Sequence, residues 1–330
     1  MNARRFVLCA AGIALAVSAA AVTAPARTPG TNGSIVFRRY LDDSHQSGAL
    51  FTIEPSGTGL RQLTHPAKGV LDTEPVWSPD GKRVAYEHGV GNKWRIYLVN
   101  ANGSGARPLG ACSGSCAGQE SPAWSPDNSK LAVAQGPRVG HESVWVVNAN
   151  GTGLEQLTQR DTPVTDNAIN DSQPAWSPDG TKLVFVRYMT QPQPRGRTAI
   201  FVINADGRGE HQLTPWKLLA GDHPDWSPDG KRILFRSNSY GAPPNALSNI
   251  YTIGADGSGL AQITHARPGD QYLSSSFSPD GKWITFGMVR GTGKDARADV
   301  YVMRANGTGS RDLTNSPSFW DSAPDWGTRP

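Results

Sequence analysis

The chain has 330 residues, with 37 Gly, 25 Pro and 10 Trp and a formal charge of +4. Gly and Pro at this level break long helices but suit short strands joined by turns, and 37% hydrophobic with 18% charged residues supports a packed core and excludes a disordered chain. The small net charge gives no nucleic-acid signal.

Residues 1–26 read as an export signal. Arg4 and Arg5 precede an uncharged apolar stretch over 6–22, and Ala24-Pro25-Ala26 forms a small-residue cleavage site. The stretch is short and mostly Ala, a poor membrane anchor. Its removal lowers the formal charge to +2 and leaves no transmembrane segment. The mature protein is therefore expected in the periplasm or outside the cell. A short linker over 27–32 follows. Of three cysteines, Cys112 and Cys116 then remain, and a close pair in an exported protein is expected to form a disulfide.

From residue 33 onward one unit repeats. VWSPDG (76–81), AWSPDN (123–128), AWSPDG (175–180), DWSPDG (225–230), SFSPDG (276–281) and a final DWG (325–327) place anchor aromatics at Trp77, Trp124, Trp176, Trp226, Phe277 and Trp326. A spacing near 50 residues in a strand-rich chain means propeller blades. Two further markers recur in phase. One is the N-A-[ND]-G-x-G type, from EPSGTG (54–59) to RANGTG (304–309). The other is the x-Q-L-T type, from RQLT (61–64) to RDLT (311–314). Between markers lie runs such as KLVFV and IFVIN, apolar at consecutive positions as strands buried on both faces are. Each unit thus reads as strand a (P-x-W), an SPDG turn, strand b, a variable loop, strand c, an NG turn, strand d and a second variable loop.

The first unit begins at strand b (33–40) and the last ends at strand a (322–326). The expected fold is all-β: a six-bladed propeller over 33–327, four antiparallel strands per blade, its ring closed by pairing the N-terminal and C-terminal strands, with a tail at 328–330. The unit resembles the repeat of the TolB-type six-bladed beta-propeller. The resemblance covers about residues 33–327 and implies strands a to d running from a central channel outward. TolB proteins carry an α/β domain before the propeller, and this sequence passes from its signal segment to the repeat without one. Similar repeats form the propeller part of prolyl-oligopeptidase-like enzymes, whose hydrolase domain has no counterpart here.

Most conspicuous polar residues have a structural explanation. Asp80, Asp127, Asp179, Asp229 and Asp280 belong to tight Ser-Pro-Asp-Gly turns, and Asn102, Asn150 and Asn306 to Asn-Gly hairpin turns. No nucleophile elbow, H-E-x-x-H, P-loop or dinucleotide fingerprint occurs. The informative asymmetry lies between the two ends of the strands. The a–b and c–d turns at one end are short and alike, and the b–c and d–a loops at the other are long and unlike. Binding residues favour variable loops on a rigid scaffold. The candidate surface comprises His65, Asp72, Glu120, Asp171, Asp222, His223, His265, Tyr272, Trp320 and Asp321. The expected function is an exported binding or scaffold module for a protein, peptide or glycan partner of the cell envelope, with no nucleic acid, cofactor or metal. The alternative is a propeller-type hydrolase or lyase using His and Asp at the channel mouth, His65 and His265 among them.

Overall fold

The computed structural model describes residues 30–110, 112, 116–137, 141–159, 169–189, 197–237, 247–293 and 296–330. The signal segment 1–26 and parts of the variable loops, including 160–168, 190–196 and 238–246, lie outside the described residues.

The strands fall where the repeat markers put them. β1 (Asn32–Tyr40), β2 (Gly48–Ile53) and β3 (Arg61–Gln62) come first. Then follow β4 (Val70–Trp77), β5 (Arg83–Val90), β6 (Lys93–Asn100) and β7 (Arg107–Pro108), and next β8 (Gly118–Trp124), β9 (Lys130–Gly136), β10 (Ser143–Asn148) and β11 (Glu155–Gln156). The same order recurs in β12 (Ile169–Trp176), β13 (Lys182–Met189), β14 (Arg197–Asn204) and β15 (His211–Gln212), and in β16 (Gly221–Trp226), β17 (Arg232–Arg236), β18 (Ile250–Gly254) and β19 (Ala261–Gln262). β20 (Gln271–Phe277), β21 (Trp283–Arg290), β22 (Arg297–Arg304), β23 (Arg311–Asp312) and β24 (Asp321–Thr328) complete the chain. Among the described residues helical structure is limited to 3-10 turns, Trp216–Leu218 among them.

The strands form four 4-stranded sheets and one 8-stranded sheet. The large sheet consists of two runs, β24-β1-β2-β3 and β4-β5-β6-β7, joined by the single parallel pairing of Gly48 with Leu71. Within each run and each smaller sheet neighbouring strands are antiparallel. β1 pairs with β24, so the two ends of the described chain share one sheet.

The repeated turns hold because their side chains supply the hydrogen bonds that the backbone lacks. In all five SPDG-type turns the serine hydroxyl donates to the aspartate two residues on, at 2.6 Å. In the NG turns the oxygens of Asn102, Asn150 and Asn306 accept the backbone N–H two residues later. The fourth strand of each unit is only two residues long. In four of the six units the Q-L-T marker turns the chain away after it: Gln62, Gln156, Gln212 and Gln262 each donate to the carbonyl two residues on. The following threonine hydroxyl accepts a buried N–H of the third strand, as Thr214 does from Ile200 at 2.9 Å.

Apolar side chains meet between units rather than within them. One cluster joins Val36 and Leu50 to Val84 and Val99, another Ala85 and Ile96 to Leu131 and Val133, and a third Val144 and Val146 to Leu183 and Phe185. The series continues until Val300 and Val302 meet Ile35 and Phe37. Anchor aromatics Trp124, Trp226, Phe277 and Trp326 fill these seams. Both faces of the middle strands are thereby covered, as their unbroken apolar runs require.

Candidate functional site

The first strand of each unit lies against that of the next: β4 on β8, β8 on β12, β12 on β16, β16 on β20, β20 on β24, and β24 on β4. These six strands line a cavity of about 210 Å³. Its wall runs from the residue three before each anchor, at the loop end, to the SPDG prolines at the turn end.

A bulge aims the loop-end residues inward. Pro75, Pro122, Pro174, Pro224 and Pro324 have no N–H for the ladder, and pairing with the second strand is interrupted beside each of them. The preceding residue takes a left-handed conformation: Glu74 (φ 48°), Ser121 (φ 54°), Gln173 (φ 52°), His223 (φ 54°) and Ala323 (φ 52°). Such backbone costs a non-glycine residue about 1 kcal/mol or more, and it is maintained here five times over. In β20 Ser275 replaces the proline, and Ser274 does not adopt it.

Two of these inward residues carry charge, and they meet. His223 Nε2 lies 2.7 Å from Glu74 Oε2. β16 and β4 are not neighbours, since β8 and β12 intervene on one side and β20 and β24 on the other, so the pair spans the cavity at its loop end. Each partner is braced from behind. His223 Nδ1 lies 3.0 Å from Asp222 Oδ1, and Asp222 Oδ2 lies 2.7 Å from Arg236 Nη2. Gln173 Oε1 accepts the His223 backbone N–H at 3.2 Å. On the other side Arg38 approaches Glu74 at 3.8 Å and donates to Thr73 Oγ1 at 2.8 Å and to Ser322. Burial works against both charges. Against it, Glu74 holds the His223 imidazolium well above its usual pKa, and His223 and Arg38 hold the Glu74 carboxyl below its own. Asp222 is likewise held low by Arg236 and His223 against the upward push of burial.

More acid stands beside this pair. Glu87 accepts the Ser121 N–H at 2.6 Å. Burial, with Glu74 and Glu120 nearby, pushes its carboxyl well up. Burial, with Glu142 and Glu74, pushes Glu120 up to about 7. Deeper in the wall, burial and the charge of Asp325 push Asp225 up to about 7 against the Phe277 N–H that it accepts at 2.7 Å.

The residues singled out from the sequence divide into three groups. His223 and Asp222 belong to the cross-cavity network, with Glu120 at its edge. Asp72, Asp171 and Asp321 do not, and the expectation that they open onto the mouth is corrected: all three are buried within their own sheets, at 2%, 0% and 0% exposure. Each sits opposite a basic side chain on the next strand, Asp72 with His88, Asp171 with Arg187 and Asp321 with Arg39, at 2.7 Å in every case. They stand five residues before the anchor, whereas Glu120 and Asp222 stand four before it; one residue reverses the face of a strand. His65 and His265 are exposed beyond the outermost strands and are not among the residues that line the cavity. Trp320 and Tyr272 are partly buried at the loop end. Trp320 packs at 5.1 Å on His45, which stacks on Tyr40 at 4.1 Å. Glu74 was missed, although E-P-V-W against H-P-D-W offered a signal: acid and base at the same repeat position, three units apart. Among the described residues no group of three His, Cys, Asp or Glu could hold a metal ion. Cys112 and Cys116 are joined in a disulfide between β7 and β8.

A model of the TolB beta propeller domain matches residues 158–328, just over half of the chain. An uncharacterized protein of Agrobacterium fabrum is 29% identical over 140 residues, which is 42% of this chain and 43% of that protein, so the match spans less than half of that curated relative. The crystal structure of TolB from Acinetobacter baumannii superposes with a TM-score of 0.67 at 16% identity, covering 90% of this chain and 67% of that one. A putative TolB from Agrobacterium tumefaciens gives 0.62 at 19% identity, covering 89% and 98%. At such identities the likeness to the solved structures is one of fold. The repeat markers, the four-strand sheets and the match over 158–328 agree, and the chain belongs to the TolB beta-propeller domain family.

Proposed function

We propose that the chain is an exported six-bladed propeller over residues 33–327 that acts as a binding module, holding a protein, peptide or glycan partner of the cell envelope on the face that carries the b–c and d–a loops. Six blades are supported by the two four-strand runs within the large sheet, and ring closure by the β1–β24 pairing and the contact of β24 with β4. Export rests on the signal-like segment 1–26 and is in keeping with the disulfide.

One observation carries the choice of face. At the turn end the polar side chains are consumed by the same hydrogen bonds in unit after unit. At the loop end unlike residues from five strands, Arg38, Glu74, Glu120, Asp222 and Arg236, converge on one mouth beside partly buried Trp320. Partner-binding energy concentrates in such aromatic and Arg groups. The test is affinity capture from the exporting cell with the mature chain as bait. Trp320→Ala with Glu120→Ala should weaken recovery of the captured partner at least tenfold, and Ser104→Ala with Thr308→Ala should leave it unchanged. The reverse pattern would put the working face at the turn end.

A further inference from the structure

We infer that the Glu74–His223 pair is a bar that closes the loop-end mouth of the central cavity, and that access to the cavity from that face requires the pair to part. The inference rests on the loop face being the recognition surface and adds how that surface is regulated.

The geometry carries it. The pair joins strands on opposite sides of the cavity at 2.7 Å, at the level where its lining begins. The other loop-end residues at that level are short or already engaged. Ser121, Ser274 and Ala323 cannot reach across, and Gln173 is bound to the His223 backbone and lies 3.4 Å from Asp222. Glu74 and His223 are thus the two side chains at this level with both the length and the opposite charge to bridge the opening. The bracing is one-sided in each case. Arg236 and Asp222 hold His223 from the β16–β17 side, and Arg38 holds Glu74 from the β1 side. Each partner therefore has a charged neighbour that can keep it in place when the bar opens, and neither is stranded by the break.

The closure is also a local matter. The left-handed backbone at 74 and 223 is shared with Gln173, Ser121 and Ala323, which make no bar. The bulge aims the side chain inward in all five strands, and chemistry at two of them decides whether the mouth is shut. A substitution by Gln at either position copies what the molecule already carries at 173, so the fold has a precedent for it.

Five tryptophans line the cavity, Trp77, Trp124, Trp176, Trp226 and Trp326, and they report on entry. The experiment is quenching of tryptophan fluorescence by acrylamide in the whole mature protein, with no partner present. Glu74→Gln and His223→Gln should each raise the quenching constant about twofold at unchanged circular dichroism, because the bar rests on opposite charges and Gln at either position removes one of them. Glu74→Asp keeps the charge and suits the left-handed backbone but is one methylene short of His223; it should open the mouth equally, and it stands in for the Gln variants should either fold poorly. Ser274→Ala, at the same level but outside the bar and its bracing, should leave quenching as in the parent. Quenching that stays at the parental value in folded Glu74→Asp or Glu74→Gln would overturn the inference. Because the readout involves no partner, an unchanged constant removes the bar while leaving the capture result to judge the binding face.

Discussion

The two ends of the strands obey different rules. At the turn end, five SPDG-type turns make the same Ser-to-Asp hydrogen bond at the same 2.6 Å. At the loop end, equivalent positions diverge. Five residues before the anchor, the cross-strand pair is Asp72–His88, Gln119–Gln135, Asp171–Arg187, Gly221 opposite Arg236, Tyr272 opposite Met288, and Asp321–Arg39. In the fourth of these the acid has moved one residue along, so Arg236 reaches Asp222 and becomes part of the cavity network. The Ser-to-Asp bond is made within one turn and repeats unchanged, even though the Asp80 and Asp280 N–H groups also donate to Asn128 and Asn32 of neighbouring units. Loop-end side chains bond across strands to partners that differ from unit to unit, and so they differ too.

The largest way to break this contrast lies at the loop end. Arg39 binds both oxygens of Asp321 at 2.7 Å with almost no exposure of either residue. Arg39→Met leaves the carboxylate buried and unpaired between the two chain ends, and chemical denaturation should show a loss of roughly 3–5 kcal/mol. Thr214→Val strips the acceptor from the buried Ile200 N–H and should cost about 1–3 kcal/mol by the same measurement. At the turn end, Ser78→Ala, Ser125→Ala, Ser177→Ala, Ser227→Ala and Ser278→Ala should each cost about 0.5–1.5 kcal/mol, and should agree with one another more closely than any loop-end set does. Unequal costs would show that the turns depend on their surroundings after all.

A pH titration of stability sharpens the contrast further. Glu120 and Asp225 both titrate at about 7 in the folded protein. Unfolded, they ionise near the ordinary carboxylate range, so between roughly pH 4.5 and 7 the folded state holds more protons and stability falls as pH rises. The turn aspartates act oppositely. Against burial, serine hydroxyls lower Asp127, Asp179 and Asp229, whose contribution is present above the unfolded pKa and fades as pH drops through the folded one. Asp225→Asn keeps an acceptor for the Phe277 N–H, and should flatten the fall in melting temperature between pH 5 and 7.5. An unaltered slope would mean that Asp225 titrates normally. The smallest effect belongs to the exposed histidines: His65→Ala and His265→Ala should stay within about 0.5 kcal/mol of the parent.

Repeat, strand order and turn chemistry were legible because each depends on residues close in sequence. S-P-D-G, N-A-N-G and Q-L-T are local instructions, and their side chains bond within a few residues. Consecutive apolar runs in β9, β13 and β17 announced burial on both faces, and their middle residues are buried. The acids near the mouth were harder to read. Counting back four or five residues from an anchor merged two faces of one strand, and the bulge beside each proline shifted the count again. The one-residue difference in spacing separates Asp171, locked to Arg187, from Asp222, turned toward His223, but its meaning depends on where the bulge falls in each strand.

By itself the sequence determined the repeat length, the positions of the turns and the anchor aromatics, because hydrogen bonds and hydrophobic runs of short range decide them. The tertiary structure alone decided which charges meet. Glu74 and His223 are 149 positions apart in the chain, at the same repeat position three units apart, and the repeat alone does not say that side chains at that position meet. They pair because six strands line one cavity, proline bulges turn the residue before them inward, and partly buried opposite charges attract each other more strongly than in open water.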